Sequence, residues 1–334
     1  MDKVAASLAA ALAGLAIAAC GGGAEPGASN EATLVLDFTP NAVHAGIYAG
    51  IAADRYEAEG IELELREPSA STDGPKLLAA GQAEFAILDI HDLAIARERG
   101  LDLVGVAAIV DRPLAAVIAA DAGRVRRPAD LAGGSVGVTG LPSDEAVLDS
   151  VLGADGVDPQ AVETVTIGFD SVAALSAGRL DAATAFWNAE GVALRGLGVD
   201  TREFRVDDFG APRYPELVVA AAAATVADDP GLIEGMIAAT GHGYADVLDD
   251  PEGALDDLVA AVPGLEREQQ RAQLEALLDA GAIAADARFD PAVLRDWAEW
   301  DRRHGIVARA PDVGEAFALE LAARSAQPKT AAHR

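Results

Sequence analysis

Strand and helix signals alternate along residues 33–119, start again at residue 135, and give way after residue 222 to helices alone. The first run reads as strand Thr33–Asp37, helix Ala42–Glu59 stopped at Gly60, strand Ile61–Arg66, a short helix Lys76–Ala80 and strand Phe85–Leu88. Helix Leu93–Arg99, stopped at Gly100, and buried strands Leu103–Val110 and Leu114–Ala119 complete it. This βαβαβαβ order implies a parallel sheet with helices on both faces. The second run reads as strand Ser135–Thr139, helix Asp144–Leu152, strand Thr164–Ile167, helix Val172–Ala177 and strand Ala182–Phe186, with Leu217–Ala222 as the last strand. Three Asp-Pro pairs, at 229–230, 250–251 and 290–291, then put a capping carboxylate before a Pro at the first helical position. The expected class is α/β, two doubly wound lobes joined by a two-strand hinge. Residues 32–111 plus 216–325 make lobe one and 112–215 make lobe two. Pro113 and Pro215 stiffen the crossings, and such a clam closes on its ligand by hinge motion.

The amino terminus adds a location. Residues 4–19 are an uncharged apolar run ending in Ile17-Ala18-Ala19-Cys20. That is a secretory leader with small residues before the cut, and it is too short for a comfortable transmembrane span. A Cys in the first mature position is the pattern of bacterial lipoproteins, so residues 1–20 read as a signal peptide with Cys20 the lipidated residue. The Gly-rich stretch 21–31 reads as a flexible tether, and 326–334 as a disordered tail. The expected product is exported and held at the cell surface or in the periplasm by its lipid alone. Cys20 is the one cysteine of the chain, which excludes a disulfide and any Cys-based metal site or catalysis within the fold.

A formal charge of −29 is spread along the sequence, which argues against nucleic acid as a partner, because phosphate binding needs a basic footprint. The most informative short segment is LVLDFTPNAVHAGIYAG, residues 34–50. It sets an acid, an aromatic, a Pro break and a His-bearing helix start directly behind a buried strand. Open α/β sheets bind ligands at that kind of strand-to-helix crevice.

That segment, with YEAEGIELELREPS, GQAEFAILD, GGSVGVTGLPSDEAVLDS and AFWNAEG, resembles the thiamine-pyrimidine-precursor proteins. The family includes lipoproteins that bind formylaminopyrimidine for an ABC importer, and pyrimidine synthases on the same type 2 periplasmic-binding fold. The resemblance covers about residues 33–225 well and the closing helices loosely. It implies a monomeric substrate-binding protein, with no cofactor and no metal, that hands an aminopyrimidine to ABC permease and ATPase subunits. The synthases carry a cysteine-rich run where this chain has ELVVAAAAATV (216–226). They also use a Lys for pyridoxal phosphate and a consumed His, at positions that fall here on Leu88 and Asp92, with His91 beside them. Without the amine no Schiff base forms, so the chain resembles the binding branch rather than an enzyme. The same fold with a sulfonate, nitrate or flavin is the alternative.

Each candidate residue has a functional and a structural reading. Asp37 accepts hydrogen bonds from an exocyclic amine or caps the following helix. Phe38 stacks on a flat ring or fills the core. His44 and Tyr48, four apart, share a helix face, and the helix dipole keeps His44 neutral. Asp89 ends a strand at the expected crevice. Ser143 or Asp144 caps the helix after Gly140, where free N–H groups suit an oxyanion or formyl oxygen. Trp187 covers the face of an aminopyrimidine, or sits in the hinge core. Asn188 and Glu190 follow it at the strand's carboxyl end, and Glu190 takes the amine or serves the first turn of a helix. Trp297 and Trp300 read as packing between helices.

Overall fold

A computed structural model of the chain describes residues 30–69, 73–284 and 286–325. The leader, Cys20, most of the tether and the 326–334 tail lie outside the described residues. No helix among the described residues is long and apolar enough to cross a membrane.

Strands β1 (Asn30–Val35), β2 (Ile61–Arg66), β3 (Phe85–Asp89) and β4 (Leu103–Val110) belong to a five-stranded sheet completed by a strand from much later in the chain. Strands β5 (Ala115–Ala119), β6 (Ser135–Val138), β7 (Glu163–Thr166), β8 (Ala182–Phe186) and β9 (Arg202–Arg205) form the second sheet, in the order β7-β6-β8-β5-β9. The late strand β10 (Leu217–Ala222) inserts between β3 and β4, giving the order β2-β1-β3-β10-β4. The protein is thus an α/β molecule of two lobes.

Both sheets are mixed, which corrects the expected parallel arrangement. β10 runs antiparallel to β3 and β4, and β5 antiparallel to β8 and β9. The cause is the hinge: each sheet receives one strand directly from the chain's crossing between lobes, and that strand enters against its neighbours. β9 was not foreseen. Its REFR sequence lacks a continuous apolar run, and only Phe204 of its four residues is buried.

The helices of the first run are α1 (Ala45–Ala52), α2 (Arg55–Ala58), α3 (Asp73–Ala79) and α4 (Ile90–Glu98). The second lobe holds α5 (Pro142–Ala154), α6 (Ser171–Ser176) and α7 (Glu190–Gly196). The closing segment is α8 (Ala223–Asp228), α9 (Pro230–Asp249), α10 (Pro251–Ala261), α11 (Arg267–Asp279), α12 (Pro291–Arg303), α13 (Val313–Ala316) and α14 (Leu319–Ser325). The Asp-Pro starts of α9, α10 and α12 form as their sequence predicts. Asp229, Asp250 and Asp290 accept from the N–H groups of Leu232, Gly253 and Ala292.

The helix expected over Ala42–Glu59 is instead three pieces. A 3₁₀ turn, Ala42–His44, precedes α1, and Asp54 in the left-handed region (φ 54°) separates α1 from α2. α1 crosses α9 at very close range: a Cβ on Gly243 would lie 2.0 Å from the Gly46 carbonyl oxygen, and the Tyr244 ring covers Gly46. Tyr244 Oη donates to the Val43 carbonyl at 2.6 Å, fixing the turn that carries His44.

Candidate functional site

A cleft of about 510 Å³ runs between the two sheets. Its walls come from the carboxyl ends of β1, β3, β6, β7 and β8, from α11, and from the hinge residues Leu114, Glu216 and Leu217. Strand ends gather here because every parallel strand of a lobe points its carboxyl end the same way.

From the first lobe, Asp37 and Phe38 reach the cleft from the bend after β1. His44 stands behind them, fully buried, with Nε2 2.8 Å from Asp37 Oδ1. Its Nδ1 accepts the Asn41 N–H at 3.1 Å, so the ring is the Nε2–H tautomer and donates to Asp37. Asn41, not Asp37 or Thr39, caps the turn, accepting from the Val43 N–H. His44 and Tyr48 do not line the cleft. Their shared face turns into the core, and burial with the nearby Glu67 carboxylate raises the Tyr48 phenol above its ordinary value.

Asp89 caps α4, accepting the His91 N–H at 2.7 Å, and also lines the cleft. Burial pushes its carboxyl well up, reinforced by Glu216. Glu216 is 1% exposed and is pushed up to about 7 by burial, against the lowering effect of the Leu114 N–H, which it accepts at 2.5 Å. Burial alone would lower the His91 imidazole, but Asp301 and Asp89 raise it to about 9. Its Nδ1 is 2.8 Å from Asp301 Oδ1, and the Trp297 indole nitrogen lies 3.3 Å from the same atom. Trp297 and Trp300 thus pack around His91, inside the first lobe. Donor atoms of Asp89, His91 and Glu216 lie within 4.8 Å of one another, a set whose chemistry can hold a cation or a shared proton.

From the second lobe, Phe186, Asn188 and Glu190 line the cleft at the end of β8. Trp187 does not. Its ring turns the other way from Phe186, into the core of the hinge. Trp187 is fully buried in the hinge, donating from Nε1 to the Pro113 carbonyl at 2.9 Å, with the Arg205 guanidinium 4.0 Å over its ring. Glu190 opens α7 and accepts the Phe186 N–H at 3.0 Å. Burial raises its carboxyl, and Asp144 adds to that. Ser143 lines the cleft but does not cap α5. Leu141 holds that position, and Asp144 turns back to accept the Thr139 N–H at 2.6 Å.

Three features of the cleft were not singled out from sequence. Phe169 rises from the loop after β7 and meets Phe38 across the mouth, ring centroids 6.2 Å apart. Glu216 ties the two hinge crossings together. Gln270 and Gln273 of α11 enter from the closing helices. Phe169 had one available signal, an aromatic just past a strand end. Besides His91, every ionisable side chain lining the cleft is Asp or Glu, and neither Lys nor Arg occurs among its described lining residues.

The family model described as NMT1/THI5 like matches residues 41–254. The chain belongs to the NMT1/THI5-like family. Over 227 residues it is 32% identical to the formylaminopyrimidine-binding protein of Halalkalibacterium halodurans, covering 68% of this chain and 69% of that relative. Over 239 residues it is 25% identical to the 4-amino-5-hydroxymethyl-2-methylpyrimidine phosphate synthase of Legionella pneumophila, covering 71% and 75%. The periplasmic aliphatic sulphonate binding protein SsuA of Escherichia coli matches in structure with a TM-score of 0.71 at 17% identity, over 88% of this chain and 99% of that one. This NMT1/THI5-like chain therefore has the periplasmic-binding-protein fold. Leu88 and Asp92, where the resemblance to the synthases sets their Lys and His, both line its cleft.

Proposed function

We propose that this protein is the substrate-binding component of an ABC importer and carries an aminopyrimidine thiamine precursor of the formylaminopyrimidine type. The observation that carries the reading is the sign of the cleft. Its ionisable lining is carboxyl groups and one imidazole, with no described Lys or Arg. A sulfonate, nitrate or phosphate buried there would meet like charge, whereas an exocyclic amine and a ring nitrogen find acceptors. Phe38, Phe169 and Phe186 supply apolar faces for a flat ring. Glu190 and Asp37 are the proposed acceptors for the amine edge, and Asp89, Ser143 and Asn188 the neighbouring polar contacts. His44 serves as the support of Asp37, and Trp187 and Tyr48 as framework.

We read the protein as a binder and not a synthase. Leu88 offers no amine for a cofactor, and the resemblance at 32% identity is to a protein named for binding. Ligand docks between the lobes, which close over it by bending at 111–114 and 210–216, and the closed form is presented to permease and ATPase subunits. The leader and Cys20 put this work outside the cytoplasmic membrane, with the protein held by lipid as a monomer.

A thermal-shift panel on the purified protein tests the reading. Formylaminopyrimidine should raise the melting temperature, with sulfonates, nitrate and flavins leaving it unchanged. A shift with sulfonates alone would replace the proposed ligand class.

A further inference from the structure

Three neutral amides in the cleft carry buried polar atoms without partners. Gln270 and Gln273, one helical turn apart on α11, are 5% and 4% exposed, and the Oε1 of each finds no hydrogen-bond partner among the described residues. Asn188, at the head of α7, is 1% exposed, and neither its Oδ1 nor its Nδ2 is partnered. All three line the cleft. α11 packs against the Ala42–His44 turn of the first lobe and against α7 of the second, so its glutamines sit where the lobes meet. Buried polar atoms are almost always paired in folded proteins, and three such side chains facing one ligand space point to what fills it.

Their chemistry differs from that of the carboxylates. Two carbonyl oxygens accept N–H groups, and the Asn188 amide supplies an NH2 donor group beside one acceptor oxygen. An uncharged arm that carries an N–H and a C=O on separate atoms, as a formylamino arm does, can give its hydrogen to one of these oxygens and accept from the Asn188 amide nitrogen at the same time. A hydroxymethyl arm on the same ring also gives one hydrogen and accepts on its oxygen, but both functions sit on one atom close to the ring, so it reaches fewer of the amides and leaves more of their buried atoms unpaired. Loss of a partner for a buried polar group is what makes such sites discriminate strongly.

We infer that Gln270, Gln273 and Asn188 form a subsite for the amide-bearing arm of the ligand, separate in role from the carboxylates that take the ring's amine edge. The inference rests on the pyrimidine reading above. It makes α11, a helix of the closing segment, a determinant of which precursor is carried.

Calorimetry with two probes tests it: formylaminopyrimidine and 4-amino-5-hydroxymethyl-2-methylpyrimidine. The wild-type chain should prefer the formylamino compound by about 10- to 100-fold. In the double variant Gln270→Leu/Gln273→Leu that preference should shrink to a few-fold, with the affinity for the hydroxymethyl compound within about threefold of wild type. The single variants Gln273→Met and Asn188→Leu should each reduce the preference, and they serve if the double variant does not fold. An undiminished preference in the folded variants, or none in the wild type, overturns the subsite while leaving the pyrimidine reading in place. Failure of the wild type to bind either pyrimidine overturns both.

Discussion

His44 Nε2 lies 2.8 Å from Asp37 Oδ1, and the same ring accepts the Asn41 N–H on its other nitrogen. One buried imidazole therefore joins the cap of the first turn to the carboxylate at the cleft. His44→Leu should release Asp37 and weaken aminopyrimidine binding by about 1–2 kcal/mol, close to the loss in Asp37→Asn. Calorimetry on both variants and the double variant checks the coupling. Additive losses would show that the histidine acts elsewhere.

Trp187 and Phe186 are neighbours with opposite tasks. Trp187→Phe removes the hydrogen bond to Pro113 and leaves a smaller ring under Arg205, and should cost about 1–2 kcal/mol of stability with ligand affinity nearly unchanged. Phe186→Ala should reverse that emphasis, weakening binding by about 1–2 kcal/mol. Urea unfolding paired with calorimetry separates the two.

The crossing of α1 and α9 depends on Gly243. A methyl group there would meet the Gly46 carbonyl at 2.0 Å, backbone against backbone, with no flexible side chain to yield. Gly243→Ala should lose about 2–3 kcal/mol in urea unfolding. An unchanged midpoint would mean that the helices separate freely.

Glu216 gives a pH dependence of known sign. Its carboxyl is raised by burial from 4.5 to about 7, so the folded chain holds a proton that the unfolded chain releases. That contribution to stability is fully present below about pH 4.5 and is lost as pH rises through about 7. In Glu216→Gln the melting temperature should fall less steeply than in wild type across that window. Asp111, also raised to about 6 by burial, is common to both proteins and cancels in the difference. Parallel curves would remove Glu216 as the source.

Much of this was legible in the sequence. Strand ends, the three Asp-Pro caps and the switch to helices were readable because each rests on local backbone chemistry. What failed was information carried by facing and distance. An apolar strand ending in Phe-Trp does not declare which ring turns inward until pairing with β5 fixes the register, where Phe186 opposes Ala115. The 42–59 segment reads as one helix because nothing in its composition requires Asp54 to enter the left-handed region. Gln270 and Gln273 look like solvent-facing residues of a polar helix, and only the packing of α11 between the lobes buries them.

The central claim, a carboxylate-lined cleft that grips the amine edge of a pyrimidine, is tested most directly by titrating formylaminopyrimidine into wild type and Glu190→Gln in one calorimetry series. One ligand should bind per chain, and the variant should bind it about 10- to 100-fold more weakly, a loss of about 1–3 kcal/mol. Equal affinity in the two proteins, or no binding by the wild type, would contradict it.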